Sequence, residues 1–252
     1  MTKRLLLLTA ALLPAPALAH FGLILPPASM VEQEDGRSID VTFAFLHPFE
    51  QYGMELARPE SVVVHSGGET TDITASLSPT QVFGEAAYTA TIELGRPGAY
   101  AIAMSPQPYW EPAEDSYIIH YTKTYVAAFG DDEGWDAELG LPTEIIPLSK
   151  PLGLWEGNVF QGIVHRDGQP VPYAEVEIEK WNTDNVPAPS DLMITQTIKA
   201  DANGVFTYAV PDDGWWGFAA LSEADYTLAR DGVEKPVELG AVIWVKFEEW
   251  DD

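Results

Sequence analysis

The sequence predicts an all-β protein built as two β-sandwich domains behind an N-terminal signal peptide. Polar and apolar residues alternate with period two along much of the chain, and β-branched and aromatic residues fill those segments. No window holds an amphipathic helix longer than two or three turns. Ser38 to Phe45 (SIDVTFAF) alternates most cleanly, and Ser61 to His65, Tyr88 to Leu94 and Tyr100 to Met104 follow as strands between Gly-Gly and Arg-Pro-Gly turn signals. Tyr117 to Phe129 is a longer extended stretch. The acidic run Gly130 to Gly140 and the Pro-rich Leu141 to Pro151 then interrupt the pattern and read as a linker. A second series begins near Asn158. Val159 to His165 leads into the Arg166-Asp167-Gly168 turn, and Ala174 to Trp181 alternates again. Asp201-Ala202-Asn203-Gly204 is expected to close a hairpin between Thr195 to Lys199 and Val205 to Val210. Ala241 to Phe247 is the last strand. The domains are placed at 20–148 and 152–247, the second immunoglobulin-like or transthyretin-like.

Residues 1–19 read as the signal. Lys3 and Arg4 precede an apolar run, Leu5 to Leu13, and Ala17-Leu18-Ala19 supplies the small-x-small cleavage pattern. The run is about half of the roughly 20 residues that a membrane-spanning helix requires. Cleavage after Ala19 would leave His20 as the first residue of a soluble periplasmic chain without stable membrane insertion. The 252 residues contain no cysteine, which excludes disulfides, thiolate chemistry and cysteine metal sites. Net charge is −26. Loss of Lys3 and Arg4 leaves 11 basic against 39 acidic residues, a charge of −28. That field repels nucleic acid and anionic lipid and gathers cations, and it serves equally as an adaptation to salt.

Chemistry can be sought at the five histidines, since imidazole suits nickel, cobalt, copper and zinc. An N-terminal His20 would offer an α-amine and a ring nitrogen from one residue, and the amine, with a reference pKa near 8, yields its proton to a metal at little cost. His47 stands where Pro48 stops a strand, with Glu50 and Met54 nearby as a hard oxygen and a soft thioether donor. It reads either as a ligand or as a strand-end histidine bonded to a backbone carbonyl. His120 shares a strand face with Ile118 and Thr122, the setting of a hydrogen-bonded core histidine. Upstream of it, Pro108-Tyr109-Trp110-Glu111-Pro112 is an aromatic loop suited to wall a pocket. His65 and His165 precede turns and read as ordinary strand-end residues. Gly214-Trp215-Trp216-Gly217 reads as a packed corner at a turn. No serine-hydrolase elbow, zinc-protease helix motif, phosphate loop or dinucleotide fingerprint occurs, so the sequence does not argue for catalysis.

Taken in order, these motifs resemble the DUF4198 group of exported proteins. The resemblance rests on His20-Phe21-Gly22, His47-Pro48-Phe49-Glu50 with Met54, Pro108 to Pro112, Ile119 to Lys123, Glu144 to Leu148, Gly157 to Gly162, Asp201 to Phe206 and Gly214 to Ala220. It implies a periplasmic protein that delivers nickel or cobalt to an inner-membrane uptake transporter. His20, His47 and His120 fall inside those motifs and His65 and His165 do not, which moves His120 from core residue to ligand. The expected metal set is therefore His20, His47 and His120, completed by Glu50, Met54 or water. Copper would bind such nitrogen donors tightest, so the donors do not name the metal. Two other readings compete: a copper-dependent oxidative enzyme with an N-terminal histidine brace, and a metal-free structural or adhesive sandwich.

Overall fold

The computed structural model describes residues 19–250. Of the expected signal segment 1–19, residues 1–18 lie outside the described residues. Among those described there is no α-helix, and no helix is long and apolar enough to cross a membrane.

The strands that position the site run in chain order as follows. The first half contains β1 (Phe21–Leu25), β2 (Ser38–His47), β3 (Tyr52–Met54), β4 (Ser61–Ser66), β5 (Ser78–Val82) and β6 (Glu85–Glu93). It continues with β7 (Gly98–Ser105), β8 (Tyr109–Glu111) and β9 (Ser116–Ala128). The second half contains β10 (Thr143–Pro147), β11 (Val159–Arg166), β12 (Glu175–Lys180) and β13 (Gln196–Lys199). It closes with β14 (Val205–Ala209), β15 (Gly214–Glu223) and β16 (Val237–Glu248).

The protein is all-β and stacks its strands in three layers. An eleven-stranded sheet is central, with the path β13-β12-β15-β16-β9-β7-β4 ending on the short Glu69–Asp72 strand, and with β8, Met30–Val31 and Leu154–Trp155 off the path. A five-stranded sheet, β1-β2-β6-β5 with β3 beside β2, covers one face of its first half, and Phe43, Phe45, Ile102, Met104 and Val126 fill the space between. A four-stranded sheet of β10, β11 and β14 with the short Gln169–Pro170 strand covers the opposite face, over Phe160, Phe206, Phe218 and Ile243. β9 is buried at nearly every position because it is covered on both faces: Ile118 and Val126 enter one core while Tyr125 and Ala127 enter the other.

The central sheet crosses the expected domain boundary. β9 and β16 pair in parallel from Tyr117↔Val237 to Thr124↔Trp244, and β10, assigned by sequence to the first domain, pairs with β11. The two sandwiches therefore share a sheet. The Asp201–Gly204 turn also departs from expectation. β13 pairs with β12 in the central sheet, whereas β14 pairs with β11 in the four-stranded one, so the turn carries the chain between layers instead of closing a hairpin. The Asp201 carboxylate still does the local work, accepting from the Asn203 and Val205 amides at 2.8 and 3.0 Å. Gly204, at φ +80°, has room for no side chain against the Val164 and Val171 backbone. Trp215 and Trp216 are strand residues of β15, not a turn, and point into different cores.

Candidate metal centre

Register builds the site. β1 and β2 are antiparallel with Phe21 opposite Leu46, so one step further places His20 opposite His47. β3 puts Tyr52 on the other side of His47, and in the next row on that face Gly22, Phe45 and Met54 lie side by side. Pro48 ends β2 at His47, as the sequence requires.

The His20 and His47 rings meet with centroids 4.8 Å apart, and both residues are buried. The Phe45 ring stacks on His20 at 5.9 Å and meets the His120 ring edge-on at 5.6 Å. His120 comes from β9 in the facing sheet and reaches His20 by way of this ring. Glu111, at the end of β8, is fixed by accepting the Ala113 amide at 2.8 Å, and its other oxygen lies 3.2 Å from His20 Nε2. Among the described residues, His47 Nδ1 and both His120 ring nitrogens are buried without a hydrogen-bond partner. Glu238 on β16 approaches His120 Nε2 at 3.5 Å, an ion-pair contact without hydrogen-bond alignment.

Burial holds the His20 ring below the usual histidine range, with the charge of His120 adding to the effect and Glu111 opposing it. Burial pushes His47 down to about 4, reinforced by His20. Both imidazoles are therefore neutral at pH 7 and keep lone pairs for a metal.

The five expected ligands do not all assemble. His20 and His47 touch directly, and His120 joins through Phe45. Met54 is a core residue opposite Phe45. Glu50 has one buried oxygen without a partner, and its charged neighbours are Asp191 and Glu179. Among the described residues no group of three or more His, Asp or Glu side chains is arranged to hold a metal ion. Glu111 and Glu238 are the acidic groups that sequence reasoning missed as site residues. In a chain with 39 acidic residues neither stands out, although Glu111 lay inside the aromatic loop already singled out. The remaining histidines are unconnected with this cluster: His65 pairs with Thr70 at 2.9 Å, and the His165 backbone carbonyl accepts from Thr143.

Beside His120 lies a cavity of about 270 Å³. The aromatic loop does wall it, through Pro108, Tyr109 and Trp110, with Phe45, Met104 and His120 opposite.

No curated protein matches the chain. Solved structures similar to it include the D0-D1 domain of intimin, at 13% identity, TM-score 0.26, and coverage of 88% of this chain and 99% of that one. The Yersinia pseudotuberculosis adhesin InvE is similar at 14% identity and TM-score 0.27, covering 87% of this chain and 58% of the adhesin. A family match spans residues 17–224, the domain of unknown function DUF4198, and includes His20, His47, Glu111 and His120. The chain belongs to the DUF4198 family.

Proposed function

We propose that this is an exported transition-metal binding protein that holds one ion at His20 and His47 and passes nickel or cobalt to an inner-membrane uptake transporter. The supporting observation is the pair of buried, neutral imidazoles in contact, one of them held by a carboxylate. Glu111 engages His20 at Nε2, which fixes the proton there and leaves Nδ1, the nitrogen nearer the main chain, as the lone-pair donor. Cleavage after Ala19 would free the His20 amine beside that nitrogen. Amine, Nδ1 and the His47 ring then supply three nitrogens to one ion, with bonds near 2 Å of the kind imidazole makes. Glu50 and Met54 are not part of this set. His120 acts from behind Phe45 through its electrostatic effect on His20.

The same donors suit copper, as in a histidine brace, and copper would bind tightest. Reductant-dependent oxidase activity of the copper-loaded protein would favour that enzyme over delivery. The test is calorimetric titration of the exported protein, its N-terminus verified by intact mass, with Ni²⁺, Co²⁺ and Cu²⁺. One site per chain that is lost in both His20→Ala and His47→Ala supports the proposal. Absence of binding leaves the metal-free sandwich.

A further inference from the structure

The cavity beside His120 has features that a metal ion alone does not use. It lies between β1, β2, β8 and β9 and measures about 270 Å³. A cavity of about 150 Å³ holds benzene, so this one has room for a substituted ring. Aromatic and apolar side chains, among them Phe45, Leu56, Met104, Tyr109 and Trp110, form most of its wall.

Among the residues that line it is His120, only 2% exposed, whose Nε2 has the Glu238 carboxylate at 3.5 Å and whose Nδ1 has no hydrogen-bond partner among the described residues. A buried imidazole nitrogen without a partner costs free energy unless something on the open side satisfies it. The surroundings are built to keep that ring in place. Gly240 is its neighbour across the β9–β16 pair, and a Cβ there would stand 2.3 Å from His120 Cδ2 and 2.6 Å from Nε2. Gly22 approaches from β1, where a Cβ would stand 2.1 Å from Thr122 Oγ1 and 3.3 Å from His120 Cβ. Gly240 thus makes the space for the His120 ring to lie against the sheet, and Gly22 lets β1 close over Thr122 and the His120 main chain, leaving the histidine in the cavity wall.

Charge narrows the ligand. Among the described residues no lysine or arginine lines the cavity, Glu55 does, and the carboxylates of Glu55, Glu85 and Glu111 all act on Tyr109. Arg230 and Lys235 lie over the Trp110 ring at 4.3 and 5.8 Å, and neither contributes to the lining. An anion would enter a negative field without a partner.

We propose that this cavity binds a small ring compound, neutral or positively charged, whose hydrogen-bonding group meets His120. Binding here does not require a metal, because the Phe45 ring stands between His120 and the His20–His47 pair.

The test is titration of the metal-free chain in EDTA with three ring-sized probes: benzylamine, phenol and benzoate. Binding of benzylamine or phenol at millimolar concentration is expected, with benzoate at least about ten-fold weaker, a difference of about 1.4 kcal/mol. Ala57 is an exposed residue on the cavity wall, so Ala57→Trp plugs the site without entering the core, and binding should vanish. His120→Phe should weaken binding about ten-fold while keeping the ring volume. The proposal is overturned if neither benzylamine nor phenol binds, if benzoate binds as tightly, or if Ala57→Trp leaves binding intact. A chain that binds these probes but no metal retains this site and loses the metal reading. The reverse outcome removes this site alone.

Discussion

β9 carries His120 on one face and Lys123 on the other, so the anchoring of Lys123 also holds the histidine. Lys123 Nζ lies 2.6 Å from Glu144 Oε1, with side-chain exposures of 1% and 4%. Glu144 also accepts the amides of Leu139 and Gly140 at 3.0 Å and of Leu141 at 3.4 Å. Glu144→Gln removes the countercharge and leaves an ammonium inside. Breaking a buried pair from one side costs about 3–5 kcal/mol. An independent bound comes from neutralising the lysine. Burial already lowers its pKa, and a lysine of reference pKa about 10.4 gives up its proton at pH 7 for roughly 4–5 kcal/mol. The two figures agree, and the second carries a signature: the destabilisation should shrink by about 1.4 kcal/mol for each pH unit above 7. Lys123→Met, which leaves Glu144 with three backbone donors, should cost less than Glu144→Gln. Urea unfolding of the three proteins at about pH 7 and about pH 9 reads all of this. A cost below about 1.5 kcal/mol for Glu144→Gln, or one that does not change with pH, would mean that Lys123 does not depend on Glu144 as its buried countercharge.

A second pH effect has the opposite origin. Burial pushes the Glu179 carboxyl up to about 8 and Glu177 to about 7, so the folded state binds protons that the unfolded chain has released. Their contribution to stability is complete below the unfolded carboxylate pKa, near 4.5, and fades as pH rises through 7 and 8, on the order of 4 kcal/mol for Glu179. Glu238, held low by His120 against its own burial, slopes the other way. The urea midpoint should fall between about pH 6 and about pH 8.5, and Glu179→Gln should flatten the fall; an unchanged slope in the variant contradicts the assignment. For the metal, His47→Ala should lower affinity at least about hundred-fold and His120→Gln less than about ten-fold, as titration would measure, and equal losses would make His120 a ligand. Gly240→Ala should displace the His120 ring and cost about 1–3 kcal/mol in thermal or urea unfolding, because nothing else at that contact can yield.

Local pattern made most strands legible and left their partners hidden. Alternation placed His120 on the face of Ile118 and Thr122, and Pro48 fixed the end of β2. The parallel pairing of Tyr117–Thr124 with Val237–Trp244 joins segments more than a hundred residues apart, and nothing in either segment encodes the other. The Asp201–Gly204 turn misled for a related reason: its carboxylate-to-amide bonds form whether the flanking strands pair or diverge into different sheets. The contact between His20 and His47 follows from strand register, which two apolar strands of unknown pairing do not reveal. Glycines inside strands were the overlooked signal, since Gly22 and Gly240 mark the close approach that seats His120.

The proposed site holds one metal ion by the His20 amine, the His20 ring and the His47 ring together. It is tested most directly by titrating Ni²⁺ and Cu²⁺ into two exported forms, one beginning at His20 and one with a single extra residue ahead of it. The first form should show one site per chain and the second at least about hundred-fold weaker binding, because the extra residue turns the amine into an amide. Equal affinity in the two forms would contradict it.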